Sequence, residues 1–237
     1  MNRGTYPLAA GMINQINRLD MVSNNLANSN TRGYKEEGLS EGSFNNYLAK
    51  AKANNIELNQ KSVVLNTIPK IDGIYINNSQ GPVTPTGNNY DFALVQKNTF
   101  FKVQNSQEEI LLTRDGSFKK LDGFLVNGSG MKILNNDNEP IPSVEGFGLL
   151  VSVVKTDYDN IEKIGNNTYR VLDKEKVEQI EGNEDAVLQS SIEASNVNSV
   201  HTMVSLIDLH RRFAQSQKAI ESIGEMSKSV VEKLGRG

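Results

Sequence analysis

Cysteine is absent from all 237 residues, which removes disulfide frameworks, thiolate metal sites and thiol nucleophiles. The same absence suits a protein that leaves a reducing cytoplasm. Histidine is scarce: His201 and His210 are the two imidazoles. Nine positions apart on one helix, they lack the i, i+4 geometry of a zinc pair. Positive charge is not in excess either, with 25 Lys and Arg against 28 Asp and Glu for a formal net charge of −3. Without a basic block the chain has no electrostatic footprint for phosphate, and no nucleic-acid partner is expected. Long apolar runs are also lacking. Asn14, Gln15, Asn17, Arg18 and Asp20 interrupt the first apolar positions, so neither a cleavable signal peptide nor direct membrane insertion is expected.

What is present is a pair of amphipathic patterns at the two ends. From Ile192 to Leu234 a heptad seam reads Leu206, Leu209, Phe213, Ser216, Ile220, Ile223, Ser227, Val230 and Leu234. Val200, Met203, Val204, Ile207 and Ala214 widen the apolar face of its first half beyond a two-helix seam, so that half needs more than one neighbour. Between Tyr6 and Leu26 a second helical period places Ala9, Met12, Ile13, Ile16, Leu19, Val22 and Leu26 at threes and fours. Its other face carries Asn14, Gln15, Asn17, Ser23, Asn24, Asn25 and Asn28 where a solvated helix ordinarily carries lysine and glutamate. Amide side chains hydrogen-bond across a buried contact without the desolvation cost of a charge, so this face suits burial between helices. Asn28 to Gly33 ends the helix, since asparagine and glycine accept left-handed conformations.

Between the helices the period changes. Tyr34 to about Pro69 is polar, with a short helix predicted near Phe44–Ala53. From Ile71 short strand patterns recur at Ile71–Ile76, Phe92–Gln96, Phe100–Gln104, Ile110–Arg114, Gly123–Val126, Met131–Ile133, Gly148–Val154 and Thr168–Leu172. Asp115-Gly116 and Asp122-Gly123 read as hairpin turns. The class is therefore α+β: a discontinuous helical, coiled-coil domain built from both ends, with a mostly β domain inserted. The boundaries fall at 1–33 for the N-terminal helix, 34–70 for an extended linker, 71–187 for the β domain and 188–237 for the C-terminal helix.

Candidate chemistry is thin. Asn135 to Glu139 has the composition of a calcium loop without its alternating ligands, central glycine or distal glutamate. Gly128-Ser129-Gly130 opens no helix that would cradle a phosphate. Of Phe100 and Phe101, adjacent on one strand, one ring is expected to be buried. A hydrolase using Asp157 and Asp159, at i, i+2 on a strand, is the enzyme alternative, against an exposed acidic turn. A soluble coiled-coil adaptor is the binding-module alternative. No catalytic residue, cofactor or metal is expected.

The termini resemble a known family. Ala10-Gly11-Met12, Arg18-Leu19-Asp20, Ser23-Asn24-Asn25-Leu26-Ala27-Asn28 and Asn30-Thr31-Arg32-Gly33-Tyr34-Lys35 form one signature. Glu193-Ala194-Ser195-Asn196-Val197-Asn198, Met203-Val204, Leu206-Ile207, Arg211, Phe213 and Lys218-Ala219-Ile220 form the other, and Thr113-Arg114-Asp115-Gly116-Ser117-Phe118 lies between. These are similar to the axial proteins of the bacterial flagellum, the rod and hook group. Arg211-Arg212-Phe213 looks like the proximal rod members rather than distal rod or hook subunits. Gln96-Lys97-Asn98-Thr99 departs from a turn that is often glycine-rich in the family.

The resemblance implies a structural subunit of the basal-body rod, a torque-transmitting shaft for motility. It implies export by the flagellar type III apparatus without a cleaved signal, and assembly with other rod subunits across the periplasm. The assembly interface it implies comprises Met12, Ile16, Leu19, Asn24, Asn25, Leu26, Asn28, Asn196, Val200, Val204, Ile207, Phe213 and Ile220.

Overall fold

A computed structural model describes residues 5–42, 70–143, 150–180 and 186–235. The short helix expected near Phe44–Ala53 and the start of the Gly148–Val154 strand lie outside these residues. Two long helices stand at the ends, α1 (Thr5–Ala27) and α2 (Ser199–Leu234). Between them run β1 (Glu37–Gly42), β2 (Lys70–Ile76), β3 (Val83–Pro85), β4 (Phe92–Leu94), β5 (Thr99–Gln104), β6 (Ile110–Thr113), β7 (Lys119–Leu121) and β8 (Phe124–Val126). They are followed by β9 (Lys132–Ile133), β10 (Val153–Lys155), β11 (Ile161–Gly165), β12 (Thr168–Val171), β13 (Glu178–Gln179), β14 (Val187–Gln189) and β15 (Ser191–Glu193). The fold class is α+β. Among the described residues no helix is long and apolar enough to cross a membrane.

The described residues fall into two compact units. One takes residues 1–27, 37–75 and 198–237; the other takes 28–36 and 76–197. In the first, α1 packs against α2, and β1 contacts α1. β1 pairs with β2 in a two-stranded ribbon.

The second unit is built on an antiparallel sheet in the order β11-β12-β6-β5-β9-β8-β7. Along one side of β5 the ladder forks: Thr99 to Phe101 pair with β10, while Val103 and Gln104 pair with β9. Period-two alternation sorts side chains to the two faces. Phe101, Val103, Leu111 and Val153 join one core with Phe92, Phe118, Leu125 and Ile133. Their strand neighbours Phe100, Leu112 and Val154 join a second core with Ile161 and Tyr169. Both rings of Phe100-Phe101 are therefore buried, which corrects the expectation of one: this part of the sheet is covered on both faces.

Three other sequence expectations change. The C-terminal helix begins at Ser199, not near Ile192. Ser191 to Glu193 are held as a strand against Val83–Pro85, and the Asn198 side chain caps the helix by accepting from the His201 amide at 3.0 Å. Asp115-Gly116 is not a hairpin, because β6 pairs with β5 and β12 whereas β7 pairs with β8. Instead Asp115 accepts from the Ser117 amide and hydroxyl. Asp122-Gly123 does form the β7–β8 turn, with φ of 50° and 83°. Asp157 and Asp159 flank and enter the 3-10 turn Tyr158–Asn160, exposed and not on a strand, so they share no strand face. The calcium-like turn is reached from within, since the Lys102 ammonium donates to Asn138 Oδ1 at 2.8 Å and Asn136 O at 3.4 Å.

The second core contains an alkaline weak point. Phe100, Tyr158 and Tyr169 meet edge to face, with centroids 5.4 to 6.1 Å apart. Tyr158 Oη is shielded without a hydrogen-bond partner. Burial pushes its pKa from 10 up to about 12; Arg114 opposes the shift and Glu193 adds to it. Folding thus favours the protonated phenol. The stability this contributes is complete below about pH 10 and is lost as pH rises towards 12, a fall of about 2 kcal/mol. Tyr158→Phe should abolish that part of the alkaline decline and cost little at neutral pH. Urea midpoints near neutral pH and near pH 11.5 check this; parallel declines in both proteins would contradict it.

Candidate assembly interface

Along α2 the half-buried positions are Leu206, Leu209, Phe213, Ser216, Ile220, Ile223 and Ser227, with Ser205 beside the first of them. Apart from Ser205, these are the first seven positions of the heptad seam; the eighth, Val230, is 54% exposed, and the side chain of Leu234 lies outside the described residues. In a 36-residue helix, about 54 Å long, that seam is the covered side, and α1 is the helix it meets. Its two serines satisfy themselves: Ser216 Oγ donates to Arg212 O at 2.9 Å and Ser227 Oγ to Ile223 O at 2.8 Å.

The second stripe is bare. Val200 is 73% exposed, Met203 52%, Val204 54% and Ile207 48%. Positions i, i+3, i+4 and i+7 share one helix face, so these four side chains form a continuous apolar strip about two turns long. Farther along, the same face carries Arg211, Lys218 and Glu225, all exposed. His201 and His210 are exposed as well.

On α1, Val22 is buried, Met12, Leu19 and Leu26 are half-buried, and Ile13 and Ile16 stand out at 60% and 42% exposure. Asn24 is exposed. Asn25 is buried within its own unit: Nδ2 donates to Glu37 O at 2.7 Å, and Oδ1 accepts from Glu37 N at 3.0 Å. An amide used this way replaces a strand neighbour for the first residue of β1. Asn28 Oδ1 accepts from the Thr31 hydroxyl at 3.1 Å, opening the turn that ends in Gly33. There φ is +65°, and a Cβ would lie 2.5 Å from the Arg114 backbone, so only glycine fits.

Asn196 is half-buried and fully engaged in the β unit. Its Nδ2 donates to Asn77 O and to Ser79 O and Oγ at 2.9 to 3.1 Å, while Oδ1 accepts from Glu36 N at 2.7 Å. The structure thus sets Ile16, Val200, Val204 and Ile207 on open surface, Phe213 and Ile220 on the α2 seam, and Asn25 and Asn196 inside their units.

Sequence reasoning missed one feature of the β unit, a buried ion cluster. Lys35 Nζ lies 2.7 Å from Glu193 Oε1, and Arg114 Nε and Nη2 lie 2.9 and 2.8 Å from Oε2; all three side chains are 1% exposed. The Gly81 amide also donates to Oε1 at 3.0 Å. Arg114 Nη1 donates to Thr99 O at 2.9 Å, and Lys35 Nζ to Ser79 O at 2.7 Å. Burial, helped by the Arg114 charge, lowers the Lys35 pKa against the opposing pull of Glu193.

Comparison with known proteins places this geometry in a family. Residues 188–233 match the C-terminal domain described as "Flagellar basal body rod FlgEFG protein C-terminal", and residues 7–35 match "Flagella basal body rod protein". Flagellar basal-body rod protein FlgF of Caulobacter vibrioides is 31% identical, across 92% of each chain. The chain belongs to the flagellar basal-body rod proteins. Two further relatives are FlgG of Agrobacterium fabrum, 25% identical over 95% of this chain and 97% of the relative, and the hook-basal body complex protein FlhO of Bacillus subtilis, 24% identical over 100% of both. The two family segments contain α1 and α2 almost entirely, so the half-buried seam and the bare strip both lie on family-defining sequence. As a rod protein the chain is a structural subunit.

Proposed function

We propose that this subunit polymerises through its terminal helices into the torque-transmitting rod, with α1 and α2 forming a coiled-coil layer and the intervening β region standing as an inserted domain. The observation that carries this reading is the strip Val200, Met203, Val204 and Ile207: four large apolar side chains on one helix face, left open in the single subunit. Contiguous apolar surface of this kind marks a protein contact. Ile13 and Ile16 on α1 offer a complementary apolar patch, and Gln15 Oε1 is shielded without a donor. An unsatisfied amide oxygen costs about 1–3 kcal/mol, which a donor from a neighbouring subunit would recover. A contact between unlike faces does not close on itself, which is what a shaft of repeating subunits requires.

The proximal rod position is favoured by similarity to FlgF at 31% identity, against 25% for the FlgG and 24% for the FlhO relative. The partners in this reading are other rod subunits and the flagellar type III export apparatus. Its place is the periplasm-spanning rod. Deletion of the gene should abolish motility in soft agar, and the intact gene supplied in trans should restore it. A motile deletion strain would overturn the reading.

A further inference from the structure

The buried ion cluster has a position that its energetics alone do not explain. Lys35 lies eight residues after the end of α1, and Glu193 lies six before the start of α2. Within the β unit these two leads run side by side. The Gly33 amide donates to Glu193 O at 2.8 Å, the Asn196 amide to Tyr34 O at 3.4 Å, and the Glu36 amide to Asn196 Oδ1 at 2.7 Å. Three backbone-directed bonds join the leads to one another. The first lead also meets the sheet through Asn167 Nδ2, which donates to Arg32 O at 2.9 Å, and through Lys163, 4.4 Å over the Tyr34 ring. Glu193 is the side chain that ties both leads to it at once, one carboxylate oxygen holding Lys35 on the first lead and the other holding Arg114 at the end of β6.

We propose that Glu193 is a positioning residue for rod assembly, fixing the exit points of both terminal segments on the β unit while touching no neighbouring subunit. Its side chain is 1% exposed, so any influence on assembly must pass through the leads. Burying three charges is a weak route to stability, because desolvation offsets much of the attraction; the better-supported use of such clusters is to specify one arrangement among several. Here the arrangement specified is the pairing of residues 33–36 with residues 193–196. The proposal rests on the reading of the chain as a rod subunit.

The test compares Glu193→Gln, Lys35→Met and Lys35→Arg in full-length protein. Hydrogen exchange follows the amides of Gly33 and Asn196 beside those of β5 and β6. Incorporation is read as copies of the chain per purified basal body. Lys35→Met should speed exchange at Gly33 and Asn196, keep protection in β5 and β6, and lower incorporation at least about fivefold. Glu193→Gln should lower incorporation as much, with protection reduced across the β unit as well because two buried cations lose their counter-charge. Lys35→Arg, which retains the cation, should incorporate nearly as well as wild type. If Glu193→Gln fails to fold, Lys35→Met decides, since it leaves a one-to-one Glu193–Arg114 pair. Full incorporation of a folded Lys35→Met, or incorporation that falls only where β5 and β6 also lose protection, would overturn the proposal. Absence of the wild-type chain from basal bodies would instead sink the rod reading itself.

Discussion

Val204→Asp combined with Ile207→Asp should leave the isolated subunit within about 1 kcal/mol of wild-type stability and yet abolish motility. Both side chains are about half exposed, so the fold of the single chain loses few contacts when they are replaced. Aspartate is a modest helix former, and that accounts for the small cost allowed. In an assembled rod the same positions would place two carboxylates in an apolar contact, where an unpaired buried charge costs several kcal/mol. Phe213→Ala serves as the contrast: on the half-buried seam it should weaken α1–α2 packing within the subunit and lower helical content. Thermal melts followed by circular dichroism and soft-agar spreading separate the two effects. Loss of monomer stability in the double aspartate variant, or normal spreading by it, would count against the bare strip as the contact face.

The second large effect is an asymmetry within the ion cluster. Glu193→Gln should destabilise the β unit by about 3–5 kcal/mol, because it leaves the buried cations of Lys35 and Arg114 without a counter-charge. Lys35→Met should cost about 1 kcal/mol. It leaves one anion facing one cation, and each acceptor abandoned by Lys35 keeps another donor: Glu193 Oε1 retains the Gly81 amide, and Ser79 O retains Asn196 Nδ2. The low Lys35 pKa has the same origin, since burial and Arg114 together outweigh Glu193. Chemical denaturation of the two variants gives the comparison directly. Equal losses would show that the lysine contributes as much as the carboxylate and would contradict the asymmetry.

The helices were legible in the sequence because their signals are local. Asn28 to Gly33 marked the end of α1, which stops at Ala27, and the heptad register matched the half-buried side of α2 from Leu206 to Ser227 but not at Val230, which is 54% exposed. The start of α2 was misjudged because Ile192 continues the apolar pattern, while what holds it out of the helix is a pairing with Thr84, more than a hundred residues away. Strands such as β7, β11 and β15 escaped notice for a related reason. Lys119-Lys120-Leu121 is exposed throughout and strand-like only through its pairing with β8. The ion cluster was present as letters in three separate motifs, Lys35, Arg114 and Glu193, but charges that meet across 79 and 158 positions have no signature in a linear pattern. Asn25 shows the limit from the other side. Its signature was recognised, whereas its use as a strand mimic for Glu37 depends on where β1 begins.

The most direct test of the account is a photo-crosslinking amino acid placed at Ile207 in the full-length chain, expressed in the deletion strain and activated in purified basal bodies. The expected result is a cross-linked product between this chain and a second rod subunit, with the attachment mapping to a terminal helix of that neighbour. Basal bodies that contain the chain but yield no intermolecular product at Ile207, or products only on the neighbour's β region, would contradict assembly through the terminal helices.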